Sequence, residues 1–266
     1  MQLRHSLKVN LLIIGLLASV VGCTTAPVTG RKQFNIFSSQ EEMQMGLTSF
    51  SQMKKDQKIS AEPKANALLQ KVGKKIAAAA GNDLPNAQWE FVVFDSPEAN
   101  AFCLPGGKVG VYTGILPITK DEAGLAAVIG HEVAHAAARH GGERMTTSTA
   151  LGLGGAVVTA VTSSQPTEEK ALWNGLYGAG ASVGFALPHS RNQESEADRI
   201  GLTYMARAGY DPAEAVNFWK RFADFNKQKG GDVPWFLRTH PLDETRIADI
   251  EKWIPEAKAQ AAGAAK

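Results

Sequence analysis

Hydrophobic and polar positions follow two periods along this chain. Trp89 to Phe94 and Lys108 to Thr113 alternate with period two and are rich in β-formers, predicting two strands. Elsewhere the spacing is helical. Ser39 and Glu42 have capping-box spacing and open a helix to about Gln57, and a second helix is predicted from Pro63 to Ala80. Leu125, Val128, Ile129 and Val133 define one face of a long helix from Asp121 to Met145, with Thr119 and Glu122 at capping-box spacing. Ser190 and Gln193 open a further helix. Asp211, Pro212 and Glu214 supply N-cap, N1 and N3 chemistry for another, whose Val216, Trp219 and Phe222 stripe reads as core. A last helix covers about Asp243 to Trp253. The pattern predicts an α+β, mainly helical domain over residues 41–255, with a small sheet and an Ala- and Lys-rich, disordered tail at 256–266.

Two regions break these patterns. Residues 150–187 hold two apolar, glycine-dotted stretches, each shorter than the ~20 residues a membrane span needs. They read either as a lid over a cleft, hinged at Gly152, Gly154, Gly175 and Gly180, or as ordinary core helices. Residues 1–22 read as a secretory leader: Arg4 and Lys8 precede a short apolar run from Val9 to Val21, followed by Gly22 and Cys23. A small residue before cysteine at that point resembles a lipobox. It predicts cleavage after Gly22, lipidation of Cys23 and a tether over 23–40. An uncleaved anchor is disfavoured by the short apolar run. With no aspartate after the cysteine, the expected location is the periplasmic face of an outer membrane.

Composition narrows the function. The chain has 266 residues, 28 basic and 26 acidic; the leader holds two basic residues and no acidic one, so the remainder is balanced, which excludes the basic excess of a nucleic-acid binder. Of the two cysteines, Cys103 has no partner within the chain once Cys23 carries lipid, and reads as a buried, inert thiol, with intermolecular pairing the alternative.

The chemistry sits in His131-Glu132-Val133-Ala134-His135. Two histidines four apart share a helix face and can grip one metal ion, with Glu132 placed as the base for a metal-bound water. Gly130, Ala134 and Ala136 to Ala138 are small, leaving room for metal and substrate. A catalytic zinc needs a third protein ligand. Glu194 and Asp198 share a face of the Ser190 helix, and Glu196 points elsewhere. From spacing alone, either Glu194 is that ligand and Asp198 holds a histidine's outer N–H, or the acidic first turn is solvated and favoured by the helix dipole. His140 falls on a different face of a continuous helix, and His189 either approaches the site or is exposed.

HExxH followed by ExxAD resembles the gluzincin metallopeptidases of the HtpX, OMA1 and CAAX prenyl protease type. Asn100-Ala101-Phe102, Pro105-Gly106-Gly107, Val109 to Gly114, Arg199-Ile200-Gly201 and Thr239-His240-Pro241 match further family segments. The resemblance is greatest to periplasmic lipoprotein proteases of the LoiP and BepA type. It implies a zincin-like domain with one zinc ion per chain, held by His131, His135 and Glu194, with Glu132 as general base. It places His240 near the metal, aiding the oxyanion or blocking the open position; the alternative is a plain loop histidine. Asn100 either contacts the substrate backbone or forms a turn. The Lys108–Tyr112 strand, through Val109 and Val111, is expected to be an edge that pairs with extended substrate. The implied function is a zinc endopeptidase that clears misfolded or stalled envelope proteins at the outer membrane. The alternative is a latched, chaperone-like partner of the outer-membrane assembly machinery with little proteolysis.

Overall fold

A computed structural model describes residues 23–150, 189–229, 233–242 and 245–264. The leader and, but for its first residue, the segment expected as a lid lie outside the described residues. The chain begins with a hairpin, β1 (Cys23–Thr25) and β2 (Lys32–Phe34), followed by helices α1 (Ser39–Asp56) and α2 (Pro63–Ala80). The cap of α1 is Ser38, with Glu41 completing the capping box, one residue ahead of the predicted pair. Three strands follow: β3 (Glu90–Phe94), β4 (Ala101–Leu104) and β5 (Lys108–Tyr112). Gly106 and Gly107 both take positive φ between β4 and β5, the tight reversal that two glycines allow.

The sheet order is β3-β5-β4, with β5 parallel to β3 and antiparallel to β4. Alternation sorts its side chains onto two faces. Val93, Ala101, Val109 and Val111 join the main core with residues of α2, while Phe94, Phe102, Leu104 and Tyr112 cluster with Phe50 of α1. The expectation for Val109 and Val111 is therefore overturned. They sit 1% and 0% exposed on the central strand, whose backbone already pairs on both sides, so they cannot take a substrate strand. Of the two edge strands, β3 is bridged on its outer side by the segment around Ile59, and β4 is the one that lines the cleft beside Glu132.

After the one-turn helix α3 (Leu116–Thr119), Asp121 caps α4 (Glu122–Ala137) by accepting from Gly124 N, in place of the predicted Thr119. Every residue of α4 from Gly124 onward is buried. The predicted helix to Met145 is broken: Ala138 ends α4, Arg139 takes φ 56°, and a separate helix, α5, occupies 140–150. Arg139 is held there by Glu42 at 2.8 and 3.1 Å and by Phe37 O at 2.6 Å, which offsets the cost of a left-handed non-glycine residue.

Among the described residues, helices α6 (Arg191–Arg207), α7 (Ala213–Gln228), α8 (Trp235–Thr239) and α9 (Arg246–Ala264) follow. Helix α6 lies across α4 at Gly201 and Gly130. A Cβ at Gly201 would stand 3.0 Å from Gly130 C and His131 N. The small residues beside the histidines thus serve close helix packing, beyond leaving room at the site. Residues 256–264 are helical, where disorder was expected. Alanine-rich sequence favours helix, Ala257 is buried, and Glu256 and Gln260 bond Arg199 and Thr203 of α6. Among the described residues no helix is long and apolar enough to cross a membrane.

Candidate metal centre

The tight crossing of α4 and α6 sets the site. His131 and His135 lie one turn apart on α4; Glu194 and Asp198 lie one turn apart on α6, whose N-terminus Ser190 and Gln193 cap as predicted. All four are at most 5% exposed. His131 Nε2 and His135 Nε2 are 3.0 Å apart, Glu194 Oε1 is 3.3 Å from His135 Nε2, and Glu194 Oε2 is 3.5 Å from His131 Nε2. Ligands bonded at ~2.0–2.1 Å around a tetrahedral zinc ion stand roughly 3.3 Å apart, so the three groups fit such an ion.

Charge fits it as well. Burial alone would lower the His131 pKa, but Asp198 and then Glu194 outweigh it and raise the pKa to about 9. The centre therefore draws in a positive charge. Asp198 Oδ1 lies 2.9 Å from His131 Nδ1, the outer nitrogen, leaving Nε2 to face the cluster. Glu194 is held well below the usual carboxylate range: burial opposes this, while Arg246, His240, His131 and His135 outweigh it.

Glu132 points from the same helix into a cleft of ≈ 730 Å³, lined also by Asn100, the residues of β4, His135, His189 and His240. Burial raises the Glu132 pKa. Its Oε1 is buried without an aligned hydrogen bond, 3.4 Å from His240 Nε2. His240, at the end of α8, places Nδ1 3.0 Å from Glu194 Oε1 and 3.3 Å from His131 Nε2, joining the ligand cluster itself. Asn100, 8% exposed, precedes β4 at the cleft wall. Cys103 is half-buried in that wall, its thiol pushed up by burial and by Glu132, and so protonated. Cys23 opens β1, remote in sequence from the cluster.

The described structure brings together every proposed ligand, and adds three residues that sequence reasoning missed or ranked low. Arg246 is buried, binding Glu194 Oε2 at 2.6 Å and Asp198 at 2.7 and 2.9 Å, with its guanidinium 3.8 Å over the Trp219 ring. Trp219 is core, as expected, yet its face also carries this cation. Nothing in the spacing marks Arg246 as a partner of residues some fifty positions earlier. His140, expected on another face, is turned back by the break at Arg139, with Nδ1 2.8 Å from His135 Nδ1. His189 is buried, its ring centroid 3.7 Å from that of His135.

Residues 63–254 match the model of peptidase family M48. The chain belongs to peptidase family M48. It is 35% identical over 235 residues to the mitochondrial metalloendopeptidase OMA1 of Schizosaccharomyces pombe, covering 87% of this chain and 66% of that protein. It is also 35% identical to OMA1 of Saccharomyces cerevisiae, with 87% and 69% covered. To the beta-barrel assembly-enhancing protease of Escherichia coli it is 28% identical over 260 residues, covering 92% and 52%. The chain thus spans about two thirds of the yeast relatives and about half of the bacterial one. Identity is higher to these mitochondrial proteins than to the bacterial one, although the motifs resemble those of bacterial lipoprotein proteases. Membership of M48 makes the histidine and carboxylate cluster the candidate metal site of a metallopeptidase fold.

Proposed function

We propose that this chain is a zinc-dependent endopeptidase. The observation that carries the reading is the convergence of His131, His135 and Glu194 at tetrahedral ligand spacing beside a buried Glu132, at the floor of a cleft walled by the free edge of β4. Bound there, zinc would polarise the scissile carbonyl and acidify water. The chain's own residues do the rest. An extended substrate adds to β4, taking backbone hydrogen bonds along Ala101–Leu104, with the Asn100 amide at the strand's start. Glu132 accepts the proton of the attacking water and passes it to the leaving amide nitrogen. Its raised pKa suits both halves of that exchange. Asp198, itself held by Arg246, fixes the His131 ring.

The substrates we propose are unfolded or misassembled envelope proteins, with the chain lipid-anchored through Cys23 at the periplasmic face of the outer membrane. Support comes from the leader-like pattern of residues 1–22, the lipobox-like Gly22-Cys23 and the likeness to a beta-barrel assembly-enhancing protease. A latched state, the second reading, is favoured by one observation: His240 Nδ1 stands within 3.3 Å of His131 Nε2 and 3.0 Å of Glu194 Oε1, where a fourth ligand would sit.

The test is cleavage of an unfolded model polypeptide by zinc-loaded protein. A chelator should abolish it, zinc should restore it, and Glu132→Gln should remove it while leaving zinc bound. Full activity in Glu132→Gln would sink the mechanism. An unaltered cellular role in that variant would favour the latched assembly factor. Incorporation of labelled palmitate, lost in Cys23→Ala, tests the anchor.

A further inference from the structure

The outer nitrogens of the two histidines are supported differently. His131 Nδ1 meets a carboxylate directly, Asp198, which Arg246 clamps. His135 Nδ1 meets another imidazole, His140 Nδ1, at 2.8 Å. His140 Nε2 lies 2.9 Å from Glu196 Oε2. Glu196 then binds Arg31 Nε at 2.6 Å and the Thr29 hydroxyl. Arg31 and Thr29 belong to the N-terminal strap, the hairpin and turn before α1. Arg31 also grips Glu143 of α5 through both terminal nitrogens, at 2.7 and 2.9 Å. Gln33 Nε2 donates to Ala138 O at 2.7 Å, at the break that turns His140 toward His135. Ala26 of the same strap is buried in the main core.

We propose that His140, Glu196 and Arg31 are positioning residues for His135, so that the N-terminal strap is a working part of the metal centre. This rests on reading His135 as a ligand. The proton inventory supports one arrangement along the whole line. His135 Nε2 must keep its lone pair for the ion, so Nδ1 carries the hydrogen and donates it to His140 Nδ1. His140 then holds its single proton on Nε2 and donates it to Glu196. Glu196 accepts from all three of its neighbours, His140 Nε2, Arg31 Nε and the Thr29 hydroxyl. Each zinc histidine thus ends on a carboxylate that an arginine holds: His131 through Asp198 to Arg246, and His135 through His140 and Glu196 to Arg31. The second line is longer by one imidazole, and only it leaves the catalytic helices for the strap.

A different occupant would be a second cation between His135, His140 and His189, whose ring nitrogens also cluster within 4.8 Å. His135 would then have to ligate two ions through both ring nitrogens as an imidazolate, whereas the 2.8 Å approach of the two Nδ1 atoms is ordinary hydrogen-bond distance and keeps the ring neutral.

The experiment uses the full chain with Arg31→Ala, Arg31→Lys, Glu196→Gln and His140→Ala. Readouts are zinc affinity by chelator competition, the visible absorption of the Co(II)-substituted protein, and kcat and KM on an unfolded polypeptide. Arg31 is one-third exposed, so its alanine variant is expected to fold even if His140→Ala does not. Arg31→Ala and Glu196→Gln should weaken zinc binding by about 10- to 100-fold, shift the Co(II) bands and lower kcat at constant KM, with Arg31→Lys restoring part of each. Folded Arg31→Ala and Glu196→Gln with wild-type affinity and spectrum would overturn the proposal, as would two ions bound per chain. His135→Ala separates the two failures. If it still holds zinc, the ligand assignment itself is wrong; if it loses zinc while the Arg31 and Glu196 variants do not, only the relay is wrong.

Discussion

Replacing Gly201 with alanine probes the helix crossing that assembles the centre. The added Cβ would stand 3.0 Å from Gly130 C and His131 N and 3.1 Å from His131 Cα. Carbon contacts settle near ~3.5–4.0 Å, so α4 and α6 must part by about 0.5–1 Å. The crowded atoms are backbone, and no flexible side chain can swing aside. Glu194 and Asp198 ride on α6 within two turns of the crossing, and His131 is next to it on α4. Metal–ligand distances tolerate about ±0.2 Å, so the shift exceeds the tolerance and zinc affinity should drop on the order of 10- to 100-fold. Stability should change less. Overpacking costs about 1–3 kcal/mol, and alanine returns about 1 kcal/mol of helix propensity, leaving a loss of about 0–2 kcal/mol. Chelator competition reads the first quantity and thermal unfolding of metal-free protein reads the second. Gly130→Ala, whose Cβ would be 3.1 Å from Gly201 O, should fall between wild type and Gly201→Ala. Wild-type zinc affinity in folded Gly201→Ala would refute the claim that this crossing sets the ligand spacing.

Further outcomes follow from the same geometry. Asp198→Asn should weaken zinc binding by about 10- to 100-fold and destabilise the fold by about 3 kcal/mol, since Arg246 is left buried with one carboxylate fewer; chelator competition and denaturant titration check both. Val111→Ala should cost about 2 kcal/mol of stability without a selective rise in KM, because the residue is core of a central strand; a KM effect in a stable variant would return it to the substrate site. His240→Ala should speed zinc exchange and raise turnover of an unfolded substrate if the ring latches the centre, and lower kcat if it stabilises the oxyanion. Glu196 has a folded pKa near 2 against an ordinary 4.5, a depressed value, so its stabilising effect is complete above about pH 4.5 and disappears as pH falls toward 2. Melting temperature should decline across that window in wild type and less steeply in Glu196→Gln, the remainder coming from other depressed carboxylates such as Glu194 and Asp198.

Much of the centre was legible along the chain because its information is local. Spacing of four puts His131 with His135 and Glu194 with Asp198, and a helix of either sequence carries each pair on one face. The capping box at Ser190 fixed where the second helix starts. The cap of α4 falls at Asp121 and not at Thr119 because Thr119 ends a preceding helical turn, leaving Asp121 as the first residue with extended backbone. His140 is invisible to helical spacing because Arg139 takes a left-handed conformation whose side-chain partners, Glu42 and Phe37, lie some hundred residues earlier. Spacing does not tell that Val109 and Val111 lie on the central strand, because a five-residue alternating run looks the same at a sheet's edge and at its centre.

By itself the sequence determined most of the long helices, two strands of the sheet, the pairing of ligands within each helix and the metallopeptidase family, since these depend on residue identity over a few turns. The tertiary structure decided which strand lies open to the cleft, which arginines neutralise the buried carboxylates, and that the N-terminal strap reaches the second histidine. Those depend on contacts between segments far apart in the chain. Each forms because a buried charge or an unpaired backbone group must find a partner, and one-dimensional spacing does not say where that partner is.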